Sequence, residues 1–300
     1  MSGEETVGQI GEEALVSKLI EKLSPGRQVV VGPGDDCAVV EIGEEDWSLL
    51  KTDCLIEGIH FTKGTEPVLV GAKALKRVLS DIAAMGGVPG EAVVTLALNE
   101  ERPVEEVLGW YEGLEETAVR YGTTLVGGET ARLPGDAAVL SIAMTGRVNP
   151  QQCIRRSSAT IGDLILVTGQ LGGSFESGRH LTFEPRLAES RWLVENHGPA
   201  AMMDLSDGLG SDLPRLAKAS GIGYTVAPER IPCHDGVSLE RAIRDGEDYE
   251  LLFTMKPEKT GPLMAAWSEQ FSDLPLTVIG EMTAETPQEL ERGWEHYGEA

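Results

Sequence analysis

Acidic residues recur where apolar, strand-like segments end, and this arrangement limits most strongly what the chain can fold into. The first instance is VVVGPGDDCAVV at residues 29–40, in which one strand stops at a Gly-Pro-Gly-Asp-Asp corner and another strand follows. The adjacent carboxylates of Asp35 and Asp36 repel each other, and no basic residue lies within six positions on either side. Because a turn needs at most one Asp, the pair indicates a further role.

Carboxylates accompany strand ends and glycines at five further places. A single Asp beside Gly usually forms a turn or caps a helix, and Asp207 and Asp212 could be such caps. Six groups together are harder to explain in that way. If they converge in the fold, bound cations must offset their repulsion, because buried unpaired carboxylates are costly. The groups are Asp35-Asp36, Thr52-Asp53, Ser80-Asp81, Gly127-Gly128-Glu129-Thr130, Asp204-Leu205-Ser206-Asp207-Gly208 and Gly246-Glu247-Asp248.

The available ligand types favour Mg²⁺ as the cation. The groups supply oxygen ligands, and the sequence has no His or Cys pair at zinc spacing and no EF-hand loop. Oxygen ligands spread over several loops suit Mg²⁺ that is shared with substrate phosphates.

Phosphate binding here cannot depend on a P-loop. No GxxxxGK[ST] motif is present, and no lysine lies between Lys76 and Lys218. We therefore expect metals and backbone N–H groups to neutralise most of the phosphate charge. Arg156 in CIRRSS is the natural arginine for a two-point contact with phosphate oxygens. The glycines of GGVPG, VGGET, TGQLGGS and SDGLGSD would let the backbone approach a phosphate, a weaker hint because such loops are common.

The hydrophobic pattern divides the chain into two units that each mix helices and strands. Apolar spacing predicts helices over 8–23, 66–85, 103–121, 185–196, 207–219 and 257–271. It predicts strands at QVVVG, CAVVEI, SLLKTD, EAVVTLALN, TLVGGET, AAVLSIAMTGRV, GDLILVTG, AMMDLS, GYTVA, ELLFTM and LTVIG. The loop from Asn149 to Ser158 predicts a boundary between domains 1–149 and 150–300. This pattern indicates the α+β class, with two mixed β/α domains, the second of α/β type, rather than one doubly wound sheet.

Charge and composition exclude several classes of partner. The 300 residues carry 49 acidic and 25 basic side chains and a net charge of −24, so an anionic nucleic acid or membrane surface would be repelled. The four cysteines form no CxxC pair, which disfavours a zinc site or a disulfide framework. No apolar run has membrane-spanning length, and MSGEETVGQI is too polar for a secretory signal. We expect a cytoplasmic protein.

Six motifs resemble those of the thiamine-monophosphate kinase family, which belongs to the superfamily of aminoimidazole-ribonucleotide synthetase. They are GDDCAVV, TDCLIEGIHF, LSDIAAMGGVP, VGGET, DLSDGLGSDL and GEDYELLFT, in this order. The resemblance runs from about residue 8 to 297 and implies ATP-dependent phosphorylation of thiamine monophosphate to thiamine diphosphate. It also implies several Mg²⁺ ions and a homodimer whose amino-terminal sheets pair across the two-fold axis, with active sites near that interface.

The resemblance also implies the roles of individual residues. The metal ligands would be Asp36, Thr52, Asp53, Asp81, Glu129, Asp204 and Asp207. The nucleotide would contact Tyr111, Gly128, Glu129, Arg156 and Ser206. Thiamine monophosphate would bind His60, Glu247 and, in WEHYG, Tyr297. The nucleophile would be an already ionised phosphate oxygen, so no catalytic base is required and we name none.

Two positions depart from the family pattern. The family usually has Asp where this chain has Glu129, and often Ser where it has Lys51. Glutamate can still bind Mg²⁺, whereas Lys51 could leave one ion weaker or absent. The alternatives to substrate binding are purely structural roles, a packed ring for His60 and a turn carboxylate for Glu247. The other functional hypotheses are a related ATP-dependent enzyme of the superfamily and a non-catalytic nucleotide-binding regulator.

Overall fold

The computed structural model describes residues 5–295 and 297. The first half forms, in order, α1 (Val7–Ile20), β1 (Val29–Val31), β2 (Ala38–Glu41), β3 (Trp47–Ile56), α2 (Pro67–Ala84), β4 (Val88–Leu98), α3 (Val104–Tyr121), β5 (Thr124–Arg132) and β6 (Val139–Val148). Each predicted strand and helix of this half is present. Helix α1 is interrupted at Gly11, whose φ of 75° is not helical.

The first sheet has the strand order β1-β2-β3-β6-β4-β5. Strands β4 and β5 run parallel, and the other neighbours are antiparallel. Helix α3 connects β4 to β5, which is the kind of crossover that parallel neighbours require. The hairpin of β1 and β2 lies at the opposite edge and carries the Asp-Asp corner.

One face of this sheet packs on α2 and α3, and the other face is uncovered within the described chain. Side chains alternate between the faces along a strand, so Leu49 and Leu55 of β3 are buried while Leu50 and Thr52 are exposed. The two helices approach closely, because a Cβ on Gly71 would lie 1.8 Å from the carbonyl oxygen of Trp110. Glycine is required at that crossing.

The second half forms a five-stranded sheet covered on both faces. Its elements are β7 (Leu164–Thr168), α4 (Ser174–Ser177), α5 (Arg179–Thr182), α6 (Leu187–Asn196), β8 (Ala201–Asp204), α7 (Leu209–Ser220), β9 (Gly223–Val226), α8 (Leu239–Arg244), β10 (Leu251–Met255), α9 (Pro257–Gln270) and β11 (Leu276–Thr283). The order β8-β10-β7-β11-β9 is antiparallel at every pairing. Burial on both faces explains the continuous apolar runs of β7 and β10.

Each face of this sheet has its own hydrophobic core. Ile165 and Val167 of β7 pack in one core with Leu213 of α7, whereas Leu166 packs in the other with Trp267 of α9. The α+β class with two mixed units is therefore confirmed. The short helices α4, α5 and α8 were not predicted, because four to six residues are too few to show a periodicity.

Helix α2 joins the two halves. It packs on β3, β6 and α3 of the first half and also contacts α5, α6 and β8 of the second. A side chain on the second-half surface of α2 can therefore meet both the β1–β2 corner and the end of β8. Among the described residues, no helix is long and apolar enough to cross a membrane.

Candidate active site

Three aspartates from distant parts of the sequence meet between the two halves. Asp36 follows the β1–β2 corner, Asp81 lies in the last turn of α2, and Asp204 ends β8. One carboxylate oxygen from each lies within 4.8 Å of the others. Their exposed fractions are 2%, 7% and 3%. We call these three residues the aspartate cluster.

The cluster concentrates negative charge where water has little access. Burial raises the pKa of Asp81 well above its usual value, with Asp204 adding to the shift. Burial and then the charge of Asp36 raise the pKa of Asp204 to about 7. The Ser80 hydroxyl, one residue before Asp81, donates a hydrogen bond of 2.6 Å to the Asp204 carboxylate. A cation bound at this site would reduce the repulsion among the carboxylates and favour their ionised form.

Arg156 resolves the question raised by the Asp-Asp corner. Its guanidinium grips the Asp36 carboxylate through two nitrogens, with Nε 3.1 Å from Oδ2, and its backbone N–H donates to Asp35 at 3.2 Å. The arginine begins a short 3-10 helix, Arg156–Ser158, in the segment between the two halves. The positive charge that is missing near the corner in sequence therefore arrives from 120 residues away.

Strand β3 brings a second basic residue to the cluster. Lys51 Nζ lies 2.6 Å from the Asp81 carboxylate, and Asp53 accepts a 2.7 Å bond from Arg77 Nε. Burial acts to raise the pKa of Asp53, but Arg77 and Lys51 hold it below its ordinary value. Thr52 is exposed on the opposite face of the strand, so its side chain does not join the cluster.

The predicted residues that follow β8 lie at the start of α7. The Asp207 carboxylate pairs with the Arg215 guanidinium, and its backbone N–H donates to Asp212 at 3.0 Å. The carbonyl of Ser206 accepts the Glu247 N–H at 2.7 Å. Asp207 is near the cluster in sequence and fold, but the cluster geometry is formed without its carboxylate.

The last part of the chain folds back onto this helix start. The Trp294 N–H donates to the Asp207 carbonyl at 2.9 Å, and the Gly293 N–H donates to Ser211 Oγ at 3.0 Å. Tyr297 lies in a turn just beyond and is 48% exposed. The carboxyl-terminal segment thus lies at the edge of the same region.

Lys73 connects His60 and Glu247, two of the predicted substrate residues. Its fully buried ammonium donates 2.6 Å to the His60 carbonyl and forms an ion pair with Glu247. Burial acts to raise the pKa of Glu247, but His180, Lys73 and Arg77 lower it to about 2. Glu247 also has a φ of 68°, which is rare for a residue with a side chain. The ion pairs of its side chain with Lys73 and Arg77 help to hold the residue in this strained backbone conformation.

Three of the five predicted nucleotide residues lie apart from the cluster, on α3 and β5. Tyr111, Gly128 and Glu129 line one open cleft of about 520 Å³. Glu129 is exposed on β5, and two strands, β6 and β4, lie between β5 and β3 in the sheet. The cleft and the aspartate cluster are therefore distinct regions of one chain.

Comparison with known proteins identifies the family. Residues 34–148 match the family model of the AIR synthase related protein, N-terminal domain, and residues 160–292 match that of the C-terminal domain. A thiamine-monophosphate kinase of Rhodopirellula baltica is 35% identical, covering 86% of this chain and 85% of its own length. That of Escherichia coli K12 is 32% identical over 92% and 91%. This chain belongs to the thiamine-monophosphate kinase family.

A solved structure extends the similarity to three dimensions. It holds AaThiL complexed with AMPPCP and TMP, is 29% identical and has a TM-score of 0.85. The match covers 98% of this chain and 100% of that one. This member of the thiamine-monophosphate kinase family therefore shares its fold with a protein whose structure contains AMPPCP and TMP.

Sequence reasoning missed two basic residues at the site of this thiamine-monophosphate kinase family member, Lys73 and Arg77, and named Lys51 only as a departure from the family pattern. Lys73, Arg77 and Lys51 each pair with a predicted acidic site residue. A signal was present in α2, where Lys73, Arg77 and Asp81 follow one another at intervals of four. Residues at that spacing share a helix face. Charges on the face of an otherwise apolar helix indicate a buried polar surface.

The aspartate cluster fits a hard divalent cation. Its donors are all carboxylate oxygens, which Mg²⁺ prefers. Burial, with neighbouring carboxylates adding to its effect, raises the pKa of Asp81 and of Asp204. Among the described residues, no lysine or arginine nitrogen forms an ion pair with Asp204. The two basic side chains at the cluster therefore leave negative charge that a bound cation could neutralise.

Proposed function

We propose that this chain transfers the γ-phosphoryl group of ATP to the phosphate of thiamine monophosphate, forming thiamine diphosphate. The observation that carries the proposal is the meeting of three buried carboxylates from both halves of the chain. The relative complexed with AMPPCP and TMP supports the same pair of ligands. The enzyme uses ATP as co-substrate.

The proposed cation is Mg²⁺. Asp36, Asp81 and Asp204 would hold it, and Asp53 and Asp207 stand beside the cluster with their own basic partners. When bound, Mg²⁺ would offset the negative charge of the phosphate groups during transfer. Metal binding at Thr52 and Glu129, on the exposed side of the sheet, stays a prediction.

The nucleotide is proposed to contact two regions. Tyr111, Gly128 and Glu129 share the open cleft, while Arg156 lies at the cluster and Ser206 follows β8. The Arg156 guanidinium would exchange part of its contact with Asp36 for phosphate oxygens, which it can grip in the same two-point manner. These are the contacts of a triphosphate that reaches from an exposed cleft to a buried acidic site.

The acceptor is proposed to bind near His60, Glu247 and Tyr297. Glu247 is ionised and would attract the cationic thiazolium ring. The attacking oxygen of thiamine monophosphate is already charged at neutral pH, so the chain needs no residue to remove a proton. Direct in-line transfer then depends on positioning and charge neutralisation.

Three further predictions belong to this proposal. The uncovered sheet face carries exposed apolar side chains, including Leu50, Val93 and Val126, which supports a homodimer that pairs these sheets. We propose that the two domains divide between residues 149 and 150, in the segment between β6 and β7. We also propose that the enzyme acts in the cytoplasm.

The test is incubation of the full chain with ATP, Mg²⁺ and thiamine monophosphate, followed by chromatography for thiamine diphosphate. We expect stoichiometric ADP and thiamine diphosphate. Asp53→Asn and Asp207→Asn should each lower turnover at least a hundredfold, whereas Asp273→Asn, at an exposed position, should match the wild type. Tight ATP binding without product would support the regulator hypothesis. Turnover of another ATP-dependent acceptor alone would support the superfamily alternative.

A further inference from the structure

A lysine is built into the aspartate cluster. Lys51 Nζ lies 2.6 Å from Asp81 Oδ1, and the exposed fractions of the two side chains are 25% and 10%. Asp81 is also one of the three carboxylates whose oxygens converge within 4.8 Å. The cluster therefore already contains a positive charge at one of the positions expected to bind a divalent cation.

The fold holds this ammonium in place. Lys51 is in the middle of β3, where Leu50, Lys51 and Thr52 pair in register with consecutive residues of β6, and Leu50 also pairs with β2. The strand cannot move without breaking paired backbone hydrogen bonds. Asp53, two positions further on the same face, adds a second carboxylate that favours the charged lysine. The ammonium is held in this region by two carboxylates and a fixed backbone.

The remaining charges show where the cluster is still open to a cation. Arg156 pairs with Asp36, Lys51 with Asp81, and Arg77 with Asp53. In the described part of the chain, Asp204 receives a hydroxyl hydrogen bond from Ser80 and no ion pair. A divalent ion bound at Asp81 would lie within a few ångströms of the Lys51 ammonium and would be repelled by it.

We propose that Lys51 acts as a built-in counter-ion that weakens divalent-cation binding at Asp81. The inference rests on the proposed function, because it assigns Mg²⁺ to the cluster. In chemical terms, a monovalent ammonium tied to the backbone takes over part of the neutralisation that would otherwise need a diffusible metal ion. The wild-type chain should therefore bind divalent ions at the cluster more weakly, or in smaller number, than a variant that lacks the charge of Lys51.

The experiment is a titration of the full chain with Mn²⁺ as a spectroscopic probe for Mg²⁺. Free and bound Mn²⁺ are counted by electron paramagnetic resonance without nucleotide or thiamine monophosphate. Lys51→Met removes the charge and keeps the side-chain length, Lys51→Arg keeps the charge, and Lys63→Met serves as an exposed control. We expect Lys51→Met to bind Mn²⁺ at least tenfold more tightly or to bind one more ion. Lys51→Arg and Lys63→Met should match the wild type.

Equal affinity and stoichiometry in wild type and Lys51→Met, within twofold, would overturn the proposal. A second readout serves if Lys51→Met is poorly folded, because its loss leaves Asp81 buried without a partner. The rise in melting temperature on adding 5 mM Mn²⁺, measured for Lys51→Gln, should exceed that of the wild type, and an equal or smaller rise contradicts the inference. Neither measurement uses catalysis. A chain that fails to make thiamine diphosphate can therefore still pass or fail this test.

Discussion

The aspartate cluster and the nucleotide cleft both present carboxylates beside strands, but they differ in whether basic side chains of the chain neutralise those carboxylates. The cluster is buried, and Arg156 and Lys51 neutralise Asp36 and Asp81. The cleft is open, and in the described residues no ion pair involves Glu129. Burial makes an unpaired carboxylate costly, whereas solvent screens an exposed one. The chain therefore neutralises part of the charge in the first region itself, whereas in the second region it leaves Glu129 exposed to solvent.

The largest expected effect tests whether burial determines how much the Arg156–Asp36 ion pair contributes to the free energy of unfolding. Arg156→Met leaves Asp36 charged in a buried site, and losing one partner of a buried pair costs about 3 to 5 kcal/mol. Urea denaturation of the apo chain should show a loss of this order. The exposed pair of Arg132 with Glu100, with exposed fractions of 75% and 66%, supplies the matched control. Arg132→Met should change the free energy of unfolding by less than about 0.5 kcal/mol. Equal losses for the two variants would show that burial does not distinguish them.

The next effect concerns the uncovered sheet face beside the cleft. Val93 of β4 is 41% exposed on that face, and Val93→Asp would place a charge in the proposed apolar interface. We expect the dimer dissociation constant to rise at least a hundredfold, which corresponds to about 2.7 kcal/mol. Sedimentation equilibrium measures it. Val119→Asp on α3, at a position 73% exposed, is the control and should leave the assembly unchanged. A wild type that sediments as a monomer would remove the homodimer from the proposal.

A third test uses pH at the buried region. Burial, followed by the charge of Arg77, lowers the pKa of His60 to about 4. The folded ring stays neutral and its Nδ1 accepts the Ile56 N–H at 3.0 Å. The unfolded ring takes up a proton near pH 6.5, so the stabilisation is present above that pH and is lost as pH falls towards 4. Between pH 7 and 5 this loss is about 2 kcal/mol.

His60→Asn isolates that contribution. The Asn side-chain oxygen can accept the same N–H and does not titrate. The free energy of unfolding, measured by urea denaturation at pH 7 and pH 5, should fall less in the variant than in the wild type. If both fall equally, His60 does not titrate with a lowered pKa, and the packed-ring interpretation loses its electrostatic support.

The sequence predicted elements better than contacts. Helix α2 follows from apolar periodicity and strands such as LILVT follow from a continuous apolar run, and both lie where the pattern indicated. Asp36, Asp81 and Asp204 were named as metal ligands from the family resemblance, and only the fold brings Asp36 and Asp204 to Asp81. The pairing of Arg156 with Asp36 links residues 120 positions apart. No local pattern contains such a contact.

Two site predictions show which information was missing. Thr52 and Asp53 are adjacent, but strand alternation turns their side chains to opposite faces, and only the packing of α2 decides which face meets the cluster. The glycines of TGQLGGS indicated a phosphate-binding loop. In the fold, the N–H groups of Gly172 and Gly173 donate instead to Asp248 and Asp245, at 2.8 and 2.7 Å. The partners of a glycine loop depend on residues far along the chain.

The smallest expected effect tests whether the open cleft binds the nucleotide without contributing to the chemistry. Tyr111 is 37% exposed on α3 and lines the cleft with Gly128 and Glu129. Tyr111→Ala removes contact area from a partly exposed ring, so we expect KM for ATP to rise about tenfold, or about 1.4 kcal/mol. The value of kcat should stay within twofold, and Tyr111→Phe should keep both constants. Steady-state kinetics with saturating thiamine monophosphate separates the two. A fall in kcat with unchanged KM would mean that the cleft stabilises the transition state. The hypothesis that the cleft only binds the nucleotide would then be wrong.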